Sequence, residues 1–213
     1  MTDTSKLVIA IDGPAASGKS TVARKVAAEL GIVFVNSGAM YRGFTWWVLE
    51  NEIDPVNSLL VVELLEKTIF TCGEENRVGT LTIDGRPMGN DEFHAETVNQ
   101  NVSAIAAIPE VRERLVSEQR KYAEVSGVVM EGRDIGTVVF PDTPHKFYID
   151  ASPEVREQRR RAQGIVDKIA ERDKKDSSRK ASPLTVADDA VVIDSSHLSA
   201  DEVVAKVLTH VGG

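Results

Sequence analysis

Short β-branched runs alternate along the chain with amphipathic segments. Leu7–Ile11 is a buried strand cut off by Asp12, and Val33–Val35, Val128–Met130, Lys146–Ile149 and Val191–Ile193 repeat the pattern. Between them, Val22, Val26 and Leu30 fall at i, i+4 and i+8, which predicts a helix over Lys19–Leu30. Ala39–Glu50 is also helical. Ser152-Pro153 reads as an N-cap and first helical residue, and Ser199-Ala200-Asp201-Glu202 as a capping box. Strand–helix alternation implies a parallel sheet covered on both faces. One stretch departs from it. Thr80–Ile83 alternates, Asp84-Gly85 is a hairpin turn signal, and Ile69–Cys72 precedes them, so a small antiparallel ribbon is expected as an insertion over roughly Thr68–Ala95. Two helical segments follow, Glu92–Ile105 and Glu110–Tyr122.

A chain of 213 residues fits a single domain with a small insertion. The one cysteine, Cys72, excludes an internal disulfide and suits a reducing compartment. The four histidines have no metal-ligand spacing. The apolar run at the N-terminus is too short for a signal peptide or a membrane span, so a cytoplasmic protein without a membrane partner is expected. The net charge of −8 argues against a general nucleic-acid binder. That charge is unevenly spread: 156–180 holds ten Lys/Arg against five Asp/Glu. A basic island in an acidic chain suggests a local anion site.

The sharpest motif is Gly13-Pro14-Ala15-Ala16-Ser17-Gly18-Lys19-Ser20, which matches G-x-x-x-x-G-K-[ST] between a predicted strand and a predicted helix. Glycines allow successive N–H groups to face one anion, and the helix start adds its dipole. Lys19 can reach the β/γ-phosphates, and the Ser20 hydroxyl can bind Mg²⁺. ATP is the expected ligand. No N-K-x-D guanine motif is present, and Asp134-Ile135-Gly136 lacks the D-x-x-G spacing of a GTPase switch. A small kinase acting on a metabolite fits the length best.

Three polar clusters lie where doubly wound sheets bind ligands. In Asn36–Arg42, Ser37, Tyr41 and Arg42 suit a phosphate and an aromatic base, or else a plain N-cap with a solvent-facing arginine. In Glu131-Gly132-Arg133-Asp134, the Arg–Asp pair suits a substrate clamp or a buried structural ion pair. The basic island, with Arg156, Arg159, Arg160, Arg172 and Arg179, suits charge stabilisation of phosphoryl transfer or a solvated charged helix. Arg112, taken alone, reads as helix surface.

Together these segments resemble the bacterial-type cytidylate kinases, P-loop nucleoside monophosphate kinases. The matching pieces are IDGPAASGKST (Ile11–Thr21), NSGAMYR (Asn36–Arg42), PEVRERL (Pro109–Leu115), EGRDIGTVVFPD (Glu131–Asp142), FYIDAS (Phe147–Ser152), ERDKKDSSR (Glu171–Arg179) and PL…ADDAVVIDSS (Pro183–Ser196), in the family's order. The resemblance implies an α/β fold: a P-loop NTPase-type parallel sheet flanked by helices, with an NMP-binding insertion near 66–98 and a short lid near 156–180. It implies transfer of the ATP γ-phosphate to CMP or dCMP with Mg²⁺, and direct in-line transfer by a monomer is expected.

By the same resemblance, Gly13, Pro14, Ala15, Ala16, Ser17, Gly18, Lys19, Ser20 and Thr21 bind ATP, joined by the lid arginines Arg156, Arg159 and Arg160. Ser37, Arg112 and Asp134 contact cytosine, Tyr41 shapes the pocket, and Asp176 holds the sugar. Arg42, Arg133 and Arg172 hold the acceptor phosphate, and Arg179 faces the nucleotide or the transferring group. Lys19, Arg133, Arg160, Arg172 and Arg179 form the catalytic set, and Ser20 is the metal ligand. Asn36 and Glu131 stand where many members carry Asp, and Arg161–Ile169 is a shorter lid than some members have. Two rivals stay open: a P-loop kinase for UMP or another small metabolite, and an ATP-dependent regulatory protein.

Overall fold

The computed structural model describes residues 4–162 and 184–212. The parallel sheet is built from β1 (Val8–Asp12), β2 (Val33–Asn36), β6 (Val128–Gly132), β7 (His145–Asp150) and β8 (Val191–Asp194), in the order β2-β6-β1-β7-β8. The strands read as unbroken apolar runs because both faces are covered. Ile9, Ile11, Phe34 and Val129 pack on one side with α1 (Lys19–Leu30) and the last described helix, α8 (Ala200–Gly212). Ala10, Val33, Val35, Val128 and Met130 point the other way, into a core shared with α2 (Ser37–Glu50), α3 (Ser58–Lys67) and α6 (Pro109–Val125).

The antiparallel ribbon is present, with its connections redistributed. β3 (Phe70–Glu75) pairs with β4 (Val78–Ile83) across Asn76-Arg77, whose φ values are +52° and +61°. Asp84-Gly85 forms the hairpin turn its sequence signals, leading β4 into the two-residue β5 (Arg86–Pro87). β4 joins the edge of β2 at Phe34↔Val78, so the ribbon extends the central sheet. Three further differences have local causes. The helix expected over Glu92–Ile105 is divided into α4 (Asn90–His94) and α5 (Glu96–Ile105), because Ala95 is extended at ψ 138°. α3 had no clear period, since SLLVVELLEK is apolar at most positions while only Val61 and Leu65 are buried. α2 starts at Ser37 rather than Ala39, because Asn36 caps it, its Oδ1 accepting from the Ala39 N–H at 3.0 Å.

Where the ribbon meets the sheet the chain must be thin. A Cβ on Gly79 would lie 2.9 Å from Val35 Cγ2 and 3.0 Å from Tyr122 Cε1. Gly79→Val is therefore expected to lower stability by about 1–3 kcal/mol through overpacking, measured by urea unfolding.

Candidate active site

The strand-to-helix loop after β1 has its carbonyls held by cations. Arg133 Nη1 donates to Gly13 O (3.0 Å), Lys19 Nζ to Pro14 O (3.2 Å), Arg156 Nη1 to Ala15 O (3.3 Å) and Arg159 Nη1 to Ser17 O (3.1 Å). A trans peptide points its N–H away from its C=O, so pinning Ala15 O and Ser17 O directs the Ala16 and Gly18 amides to the opposite side. The N-cap of α1 is Gly18, in the left-handed region at φ +90°, which offers no side-chain cap. Its first N–H groups and dipole are left for a bound anion. Gly13 admits no side chain, because a Cβ there would sit 2.1 Å from Ile149 O.

Arg156 and Arg159 come from α7 (Pro153–Ala162), and Arg159 also donates to Ser195 O at 2.8 Å. Ser195 Oγ in turn donates to Ser17 O at 2.9 Å. The island's first arginines are thus set against the phosphate loop, and Arg156 is buried. Arg172, Asp176 and Arg179, also expected in the site, lie outside the described residues.

Two carboxylates at the strand ends escaped assignment from sequence. Glu131 is the buried penultimate residue of β6, beside β1 and paired with Ile11 in the sheet. Its Oε1 accepts from Ser20 Oγ at 2.8 Å, and its Oε2 lies 3.7 Å from Lys19 Nζ. An acid at the end of a strand next to the phosphate-loop strand is the signal that marks it. Asp12 is the second. Its two oxygens accept from the Ile135 N–H (2.8 Å) and the Gly136 N–H (2.7 Å), at the start of a π-helical turn over Ile135–Val139. Burial pushes its pKa up to about 6, against the lowering by those two bonds, with Asp134 raising it and Lys19 lowering it further. A carboxylate raised on folding opposes stability above its folded pKa, and the opposition is relieved as pH falls from about 6 toward 4. At neutral pH Asp12 thus costs the fold on the order of 3 kcal/mol.

The second half of the site lies across β6. Asp134 does form a buried ion pair, but with Arg112 Nη2 of α6, while its neighbour Arg133 turns to the phosphate loop. Arg112 is 4% exposed and Asp134 5%, which corrects the helix-surface reading of Arg112. Arg112 also donates to Ala106 O at 3.1 Å and stacks over the Tyr41 ring at 5.5 Å, and among the described residues its buried Nε has no hydrogen-bond partner. Ser37 Oγ donates to Glu131 O at 2.8 Å. Gly132 keeps that approach open, since a Cβ would come within 2.5 Å of Ser37 Oγ. Arg42 on α2 and Arg160 on α7 both bear on His94 of α4, whose pKa is held below the usual imidazole range by desolvation and then by these two cations. Sequence reasoning had given His94 no role.

These groups make two adjoining sites: a cation-framed phosphate loop and a buried Arg–Asp clamp beside an aromatic ring. Comparison with known proteins points the same way. The cytidylate kinase family model matches residues 9–212. The chain is 44% identical over 214 residues to a cytidylate kinase of Desulforamulus reducens, covering 95% of this chain and 96% of the relative. It is 45% identical over 212 residues to one of Alkaliphilus metalliredigens, covering 94% of each. A third, from Streptomyces griseus, is 38% identical over 218 residues, covering 98% of this chain and 94% of that one. An unliganded sugar kinase from Janibacter sp. aligns over 97% of this chain and 95% of its own with a TM-score of 0.51 at 14% identity, a likeness of fold alone. By sequence, over nearly its whole length, the chain belongs to the cytidylate kinase family.

Proposed function

We propose that the protein transfers the γ-phosphoryl group of ATP directly, in line, to the phosphate of CMP or dCMP, giving ADP and CDP or dCDP. Family membership supports the reaction class. The observation that carries the choice of base is the buried Arg112–Asp134 pair. A buried ion pair contributes little to stability by itself. Among the described residues, this one leaves the Arg112 Nε–H buried without an acceptor, beside the Tyr41 ring. Cytosine offers what the clamp lacks. Its ring nitrogen and carbonyl can accept from Arg112, and its exocyclic amine can donate to Asp134. Uracil would turn a carbonyl toward the carboxylate, and a site built for a donor rejects a substrate lacking one.

In this reading Ser37, Arg112 and Asp134 read the base, Tyr41 stacks beside it, and Asp176 holds the sugar. Arg42, Arg133 and Arg172 grip the acceptor phosphate. Lys19 and the loop amides take the ATP phosphates, with Arg156, Arg159, Arg160 and Arg179 neutralising charge around the transferring group. The segment near 66–98 acts as the monophosphate-binding insertion and that near 156–180 as the lid. The acceptor is already an anion, so no strong general base is required; the protein's work is alignment and charge neutralisation. Ser20 and Glu131 offer hard oxygen donors beside the phosphate loop, the kind of ligand that Mg²⁺ takes along with phosphate oxygens and water. Bound there, Mg²⁺ would neutralise phosphate charge.

A panel of CMP, dCMP, UMP, AMP, dTMP and shikimate in an ADP-release assay tests the reading. CMP and dCMP should be turned over fastest. Slow ATP hydrolysis indifferent to every acceptor would instead favour an ATP-dependent regulatory protein. Lys19→Ala should lose about 10²–10³-fold in kcat, since it removes one charge from the transition state, and should also lower stability in urea unfolding, because Glu131 then loses its buried cation. Asp134→Asn should narrow the CMP-to-UMP ratio of kcat/KM by at least about 10-fold and leave the KM for ATP nearly unchanged. Asp134→Ala should in addition destabilise the protein by about 3–5 kcal/mol in urea unfolding, because Arg112 is then buried alone.

A further inference from the structure

We infer that Asp12 is a positioning residue that sets the distance and angle between the ATP half of the site and the cytidine half. The inference rests on the proposed kinase reaction and goes beyond it, since Asp12 is placed to touch neither substrate.

The geometry is a bridge between consecutive residues on each side. Asp12 immediately precedes Gly13, where the phosphate loop begins, and pairs with Gly132 in the sheet. Its carboxylate reaches over the end of β6 to the N–H groups of Ile135 and Gly136, the two residues after the clamp residue Asp134. Arg133, just before Asp134, closes the same junction from the other side through Gly13 O. Three hydrogen bonds therefore tie Asp12-Gly13 to Arg133–Gly136. The clamp then runs on through Asp134 to Arg112, and the loop runs on to Lys19. A shift at Asp12 moves the two halves relative to each other while leaving the internal contacts of each unchanged.

Both bonds are strongest to the ionised carboxylate, whose two oxygens each accept from a backbone donor. The charged groups around it come from every element of the junction. Asp134 on the β6 side raises its pKa, and Lys19 on α1 lowers it. Glu131 on β6 is occupied by Ser20 and Lys19, and Lys146 on β7 lays its stem against Gly136 with its ammonium on Asp189. Asp12 accepts from the two amides and lies in the field of Lys19. The fold holds a buried charge there at a cost in stability, as expected of a group retained for alignment.

The test compares the wild-type protein with Asp12→Asn. Asparagine keeps one acceptor and sets an amide N–H against the second backbone donor, so one of the two ties is lost. Dissociation constants for ATP and for CMP, each measured separately by calorimetry, should stay within about threefold, while kcat falls about 100-fold, the scale expected for a displacement of about 1 Å at the reacting atoms. ADP formed without CDP should increase as a share of total turnover, because a misaligned acceptor leaves ATP to water. The ratio of wild-type to variant kcat should fall as pH drops through about 6, where the wild-type carboxylate takes up its proton. The ratio is the readout because substrate phosphates titrate in both proteins alike. A variant with wild-type kcat and coupling would overturn the inference. So would losses of binding and rate in equal measure, or a ratio flat from pH 5 to 8. If Asp12→Asn does not fold, Asp12→Ser, which also removes the charge, is read by the same criteria. A wild-type protein that fails to phosphorylate CMP defeats the kinase reading instead, and is recognised before any variant is compared.

Discussion

A phosphate loop has to aim several amides at one anion, and the carbonyls of the same peptides then need partners on the opposite side. Here four cationic side chains supply those partners at Gly13, Pro14, Ala15 and Ser17. The arrangement explains why arginines from distant parts of the chain converge on one turn. Arg133 arrives from the end of β6, and Arg156 and Arg159 from α7. Guanidinium suits the task, since its planar fork can hold a carbonyl with one N–H and offer others to a neighbouring oxygen. Arg159 does this, reaching Ser17 O, Ser195 Oγ and Ser195 O together. The loop is thereby shaped in advance of any ligand, which lowers the ordering cost of binding.

The same constraint accounts for the buried acids. Cations gathered at the carboxyl ends of β1 and β6 would repel one another without carboxylates among them. Glu131 lies beside Lys19 and Ser20, Asp134 engages Arg112, and Asp12 occupies the space between. None of these acids is more than 5% exposed. Charges in such a setting cost the fold free energy, and large apolar clusters on both sheet faces offset it. The site is a strained electrostatic assembly carried by an ordinary hydrophobic sandwich.

The sandwich was legible in the sequence and the wiring of the site was not. Strands buried on two faces leave unmistakable apolar runs, and Lys19–Leu30 ended as its period required. Capping chemistry was equally readable: the Ser199–Glu202 box forms with both of its bonds. The Asn76-Arg77 turn was not, because arginine is an unusual occupant of a left-handed position, while Asp84-Gly85 announced itself and forms the two-residue hairpin between β4 and β5. α3 was hidden by having too many apolar residues rather than too few. Arg112 read as surface because a charged residue on a helix usually is, and only its partner 22 positions away makes burial tolerable. Asp12 was visible as the residue that ends the first strand. Its role depends on two backbone amides, which carry no sequence signature.

A chain with a net charge of −8 that binds two polyanionic nucleotides would seem to work against itself. The scale of screening resolves this. At physiological ionic strength the field of exposed charges decays over about 8 Å, so acids scattered on the helices contribute little at the loop. Cations lodged among buried backbone act through a medium of low polarizability and at contact distance, where each counts for several times more. In the proposed reaction, the local assembly around Gly13–Ser20 therefore governs the affinity for phosphate. The acidic remainder of the chain bears on solubility and on the approach of other macromolecules. Net charge and site charge can differ in sign because they act over different distances, and in this fold the boundary between them lies at the carboxyl edge of the parallel sheet.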